Sequence, residues 1–140
     1  MAEEQGKIEL EIVTPGKLLL SESADMVVVP GGEGDFGVMP GHAPMLSTVR
    51  AGTIDVYDGD KVSAQIFVEG GFAEVTDARC TVLAEEAMMV ADIDKGAAEQ
   101  RLKDARDAQA ADKDHVDGQD TAEVVAAEAM AAATSGEAKR

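Results

Sequence analysis

A chain of 140 residues has room for one domain with an appendage, or two small units, around a modest core. With no Trp, one Tyr and three Phe, that core is aliphatic, and an aromatic-lined pocket for a sugar, base or flavin is excluded. The 28 acidic against 12 basic residues leave a net charge of -16, which repels phosphate backbones and anionic headgroups, so nucleic-acid and direct lipid binding are disfavoured.

The opening residues, MAEEQGKIELEI, have no basic segment followed by an apolar run, and no stretch approaches the roughly 20 apolar residues of a membrane span. The expectation is a soluble cytoplasmic chain. Ile8, Leu10 and Ile12 alternate with acidic residues, the period-2 pattern of a half-buried strand. A second strand is expected over residues 17–20, and a third over the apolar run 26–29, which Pro30 closes.

Residues 31–44, GGEGDFGVMPGHAP, cannot be helical. Gly32, Gly34 and Gly37 fit G-x-G-x-x-G, but that phosphate cradle needs a helix to follow at once, and here Val38, Met39 and Pro40 follow. Pro40 and Pro44 remove two backbone donors and push Met39 and Ala43 toward extended geometry, so a surface loop between strands is expected. His42 in this loop is read as a structural or interface histidine, since Ser47 and Thr48 sit in no nucleophile motif.

Further strands are expected over residues 49–57 and 62–68, joined at Asp58-Gly59-Asp60, and over 72–75 and 79–84, joined at Thr76-Asp77-Ala78. Gly70-Gly71 marks a bulge or corner. The sole cysteine, Cys80, lies in a strand-like run and excludes an internal disulfide or multi-thiolate metal site. The pattern is that of a sandwich or barrel, with a sandwich of about ten short strands the preferred reading.

Past Asp92 the prolines vanish and alanine dominates. Residues 97–111 suggest a helix capped by Asp94, residues 112–120 break it, and 121–133 resume it. The fold class is therefore mainly β plus α: a β-sandwich over residues 1–90, then a two-helix hairpin and frayed acidic tail over 91–140. Only Ile93, Leu102, Val124, Val125 and Met130 give this hairpin apolar bulk, so weak docking is expected.

Three chemical readings compete poorly. Asp112, Asp114, Asp117, Gly118, Asp120 and Glu123 partly fit a calcium loop, but Val116 replaces a ligand and the glycine falls one residue late. His42 and His115 have no partners at metal-ligand spacing, so no metal is expected. Glu69 with Glu74 could act as an acid/base pair only in the sense that any acidic protein offers such pairs. With no recognisable nucleophile or cofactor cradle, a binding or structural role leads, a catalytic site and cofactors are not expected, and a calcium-responsive adaptor or small acid/base enzyme are remote alternatives.

The blocks GDFGVMPGHAPMLS (34–47), GTI (52–54), FVEGGFAEV (67–75) and TVLAEEA (81–87) resemble, in order and spacing, the ATP synthase epsilon subunit. The resemblance spans roughly residues 8–106. It implies a β-sandwich and helical hairpin at the foot of the central stalk, turning with the rotor and binding gamma and the c-ring, on the cytoplasmic face of the inner membrane through protein contacts alone. It further implies that a loop carrying Glu33, Asp35 and His42 faces the c-ring. In the family the tail often reaches the alpha/beta catalytic head and blocks ATP hydrolysis with basic side chains. Here no Lys or Arg lies between Asp114 and Ala138, so strong inhibition is not expected, and an inhibitory tail is the alternative. The family's weak ATP motif survives only at Ile93, Asp94 and Ala98; Ala97 stands where its arginine belongs, so ATP binding is not expected.

Overall fold

The computed structural model describes residues 6–116 and 118–135. Eight strands come first: β1 (Ile8–Thr14), β2 (Lys17–Ala24), β3 (Met26–Gly31), β4 (Gly34–Val38), β5 (Met45–Thr48), β6 (Gly52–Asp58), β7 (Lys61–Val75) and β8 (Arg79–Met89). A 3₁₀ turn over Val90–Asp92 leads to α1 (Lys95–Ala111) and α2 (Ala122–Ser135).

The strands share one hydrogen-bonded system, ordered β2-β1-β8-β7-β6-β3-β4, with β5 also on β7. All neighbours are antiparallel except β1 and β8. β7 belongs to two layers. Its first half pairs with β6, its second half with β5, and β8 follows it from Ile66 through the bend to Val75. The bend lies at Gly70 (φ 66°) and Gly71 (φ 123°), where a Cβ on Gly71 would collide with the Leu83 carbonyl oxygen. Register is unchanged across it, Glu69 facing Glu86 and Gly71 facing Ala84, so the glycines make a corner without a bulge.

Residues 62–68 and 72–75, read from the sequence as separate strands, are one 15-residue strand creased in the middle, while Gly34–Val38 and Met45–Thr48 are strands the sequence pattern had not marked. The folded system is a sandwich. Ile8, Leu10, Ile12, Ala73, Val75, Cys80 and Val82 from one layer meet Val27, Val29, Val38, Ile54, Val56, Ile66 and Val68 from the other. Alternation along each strand selects these residues and leaves their polar neighbours outside.

Residues 31–44 are not a single loop, as the sequence suggested. Gly34–Val38 forms β4, pairing with β3 from Val27–Val38 to Gly31–Gly34. Phe36 packs toward the core and Val38 lies within it, two apolar residues at strand spacing that the surrounding glycines disguised. Apart from the two-residue turn at Gly32 and Glu33, only the segment beyond Val38 is loop, pinned to the β7–β8 turn where Gly41 N–H donates to the Asp77 carbonyl at 2.7 Å.

The helices begin and end where their chemistry directs. Asp94 accepts the Gly96 N–H at 3.3 Å and caps α1, as its position suggested. Thr121 Oγ1 accepts the Val124 N–H at 3.2 Å and caps α2. The helices pack through Leu102, Ala105, Val124 and Ala127.

Candidate functional site

Two outer faces remain once the core is assigned, and they differ. On the layer containing β2, β1, β8, β7 and β5, the cross-strand register aligns Leu18, Val13, Leu83, Phe72 and Thr48 in one row. Leu18, Leu83 and Phe72 are each more than half exposed, as is Leu46 nearby on β5. The next row is polar through Ser21, Glu11, Thr81 and Glu74 and ends on β5 at Leu46. An apolar ridge crossing four strands and ending at a polar row is the organisation of a protein-docking surface, since isolated exposed leucines would not align. Val13, Pro15, Gly71, Phe72 and Leu83 line a shallow groove along it.

On the opposite layer the outer face is covered. Thr53 and Phe67 are cross-strand partners pointing away from the core, yet Phe67 is 1% exposed and Thr53 is buried. Ala129 and Ala132 of α2 line a cleft with Thr53, Pro30 and Arg50, so the hairpin lies over this face. The large apolar group at this junction comes from the sandwich. Val125, one of the five residues read as hairpin bulk, is instead exposed. The run Ile66-Phe67-Val68 carried the signal, because unbroken apolarity means both strand faces are covered.

Arg101 of α1 joins three elements. Its guanidinium donates to both Glu69 oxygens on β7, at 2.7 and 3.3 Å, and to both Glu123 oxygens on α2, at 2.8 and 3.1 Å. The hydrogen bonds from Arg101 hold the Glu123 carboxyl below its usual range, and the two acids raise the guanidinium's own affinity for its proton. Arg106 pairs with Glu128 at 2.6 Å, and Gln109 accepts the Thr121 N–H at 2.7 Å, closing the hairpin's far end.

The residues singled out from sequence fall in separate places. Glu33 lies in the β3–β4 turn and Asp35 on β4, where it pairs with Arg50 at 2.6 Å. His42 lies beyond the other end of β4, its Nδ1 2.6 Å from the Ala43 carbonyl oxygen. A five-residue strand, about 13 Å of chain from first to last residue, stands between the Glu33 and His42 ends, so the three do not share one loop. Of the degenerate motif, Asp94 acts as helix cap, Ala98 is buried and Ile93 is half-buried. Ala97 lines an open groove with Gln100, Arg101 and Glu123, and the cation facing it, Arg101, is held by two carboxylates.

The remaining candidates find structural partners. Glu123 is ion-paired, Asp112 Oδ1 accepts the Asp114 N–H at 3.0 Å and Asp120 accepts from Gln109, while Asp117 lies outside the described residues. Among the described residues no group of three or more His, Cys, Asp or Glu is placed to hold a metal. His115 sits in the connector, its N–H donating to the Asp112 carbonyl. Glu69 and Glu74 are not brought together: Glu69 turns to Arg101, and Glu74 sits across from Leu46 and Thr81 beyond the bend. Burial pushes the Cys80 thiol up to about 11, the property of an inert core cysteine. No described helix is long and apolar enough to cross a membrane.

Residues 7–90 match the family model of the ATP synthase, Delta/Epsilon chain, beta-sandwich domain. The chain is 58% identical over 102 residues to the ATP synthase epsilon chain of Paramagnetospirillum magneticum, covering 73% of this chain and 77% of that one. It is 48% identical over 120 residues to the ATP synthase epsilon chain of Maricaulis maris, covering 86% and 90%. Its fold superimposes with a TM-score of 0.67 on a chain in the OSCP/F1/c-ring structure of the Euglena gracilis mitochondrial ATP synthase, at 24% identity and covering 94% and 79% of the two chains. At that identity the likeness speaks for the fold.

Proposed function

The chain belongs to the ATP synthase delta/epsilon family, its relatives being epsilon chains, and we propose that it is a non-catalytic rotor subunit of the central stalk, linking gamma to the c-ring of a proton-translocating enzyme. The observation that carries this reading is the apolar ridge of Leu18, Val13, Leu83 and Phe72. It is an apolar surface set on paired strands, and it suits a partner that must be gripped while torque passes through the joint. The ridge is assigned to gamma. The c-ring contact is assigned to the polar flank that bears Glu33, Asp35 and His42, with Asp35 bracing Arg50, Glu33 exposed and His42 half-buried.

In this reading the sandwich, residues 1–90, carries coupling, and the hairpin, residues 91–140, is at most a weak brake. Its second helix bears Glu123 and Glu128 and no basic side chain, so entry into an acidic part of the alpha/beta head is opposed by charge. The clasped Arg101 and the alanine at 97 leave the inter-helix groove without a cation for phosphate, so ATP is not a ligand. The protein sits on the cytoplasmic face of the inner membrane through its partners alone.

The ridge gives the test. Phe72→Glu and Leu83→Glu change exposed side chains, and each is expected to weaken binding to isolated gamma by about 100-fold in calorimetry, the effect of removing an anchor residue. Binding within threefold of the parent for both variants, with melting unchanged, would contradict the assignment. Calorimetry with ATP should give no saturable micromolar binding.

A further inference from the structure

β3 loses one neighbour before it ends. Its pairing with β6 runs only to Val28, opposite Asp55, while β4 follows it to Gly31. The β5–β6 connector takes over the side that β6 leaves. Arg50 N–H donates to the Pro30 carbonyl and Gly32 N–H to the Thr48 carbonyl, both at 2.9 Å, with Gly31 bridged to Val49. The approach is close, since a Cβ on Gly32 would collide with the Thr48 hydroxyl. The Arg50 guanidinium then reaches past the end of β3 to β4, Nη1 donating to the Gly31 carbonyl at 2.5 Å and Nη2 to Asp35 Oδ1 at 2.6 Å.

These bonds brace a two-residue turn, Gly32-Glu33, whose acid stands exposed at the tip. Among the described residues β4 has no strand on its other edge, so the tip is held from the β3 side alone. The Arg50–Asp35 pair adds little to global stability, because both side chains meet water. What it supplies is geometry: a planar fork with one prong on each strand of the hairpin sets how the turn leaves the sheet. Asp35 is occupied by that fork, which leaves Glu33 as the acid the turn offers outward. We propose that Arg50 is a positioning residue for the c-ring contact, holding the β3–β4 turn in the geometry that presents Glu33, a role that rests on the assignment of this flank to the c-ring. A turn that samples other positions binds with an affinity reduced by the fraction of time it spends in the competent one.

The test uses the full chain in complex with gamma, titrated onto detergent-solubilised c-ring, together with amide exchange on the full chain alone. Arg50→Gln is expected to speed exchange of the Gly32 N–H about tenfold, to leave residues 27–29 of β3 unchanged, and to weaken c-ring binding about three- to tenfold. Glu33→Gln should weaken c-ring binding by a similar factor with Gly32 exchange unaltered. Arg50→Gln should add nothing in that background, because the placement of the turn no longer matters once its acid is gone. Arg50→Lys keeps the charge but not the fork; it should fall between Arg50→Gln and the parent in both readouts, and it serves should the glutamine variant fold poorly. Unchanged Gly32 exchange in both Arg50 variants would overturn the proposal. So would additive effects of Arg50→Gln and Glu33→Gln on c-ring binding, since Arg50 would then touch the partner itself. Faster Gly32 exchange in Arg50→Gln, with c-ring binding unaffected by Glu33→Gln, would refute the c-ring assignment while upholding the brace.

Discussion

Gly71→Ala should damage this fold far more than an alanine at another glycine of positive φ, and the difference isolates the corner. Gly71 has φ 123°, outside the region open to L-residues, and its added Cβ would run into the Leu83 carbonyl on β8. Backbone strain of about 1–3 kcal/mol combines with at least one weakened ladder hydrogen bond of about 1 kcal/mol, giving a loss of about 3 kcal/mol. Gly41→Ala provides the control, since its φ is 89° and nothing lies within 4 Å of the added Cβ; its loss should be about 1 kcal/mol. At this chain length each kcal/mol lowers the melting temperature by about 4 °C, so thermal unfolding should separate the variants by about 8 °C. Melting temperatures within about 2 °C of each other would refute the claim that β7 and β8 are held too close at the bend for a side chain.

Three smaller effects are expected. The Thr53 hydroxyl is buried with no hydrogen-bond partner, so Thr53→Val should raise denaturant stability by about 1 kcal/mol, and a loss instead would show that the hydroxyl is satisfied. The Asp25 carboxyl lies below its ordinary value of 3.8, through the Lys7 ammonium and then the Gly59 N–H. Its contribution is therefore complete above that value and disappears as the pH falls through the lower folded one; Asp25→Asn should flatten this part of an acid-unfolding series, and an unaltered slope would count against it. Cys80 should resist a thiol reagent at about pH 8 while the chain is folded and react fully once unfolded, and fast labelling of the folded chain would contradict its burial.

The alternation at Ile8, Leu10 and Ile12, the Asp58-Gly59-Asp60 turn and the Asp94 cap could all be read locally, because each depends on residues a few positions apart. What escaped depends on distant partners. Gly70-Gly71 declared a corner, but only the matching strand β8 reveals that β7 continues through it. Phe36 and Val38 read as loop because glycines flank them, although their spacing was that of a strand. Arg101 stood among other helix charges, and its value lies in Glu69, 32 residues earlier. The ridge was equally hidden: Leu18, Val13, Leu83 and Phe72 are scattered in sequence and become a surface only when four strands are placed in register. The family resemblance supplied the function that local chemistry could not, since a docking surface has no motif.

Proton-driven ATP synthesis in membrane vesicles stripped of their own epsilon chain tests the central claim most directly. This chain should restore synthesis when added back, a version ending at Val90 should restore it to a similar level, and full-length Phe72→Glu, folded to the same melting temperature, should not. Full restoration by Phe72→Glu would contradict the account, because the ridge would then not be the joint through which the sandwich couples the rotor to gamma.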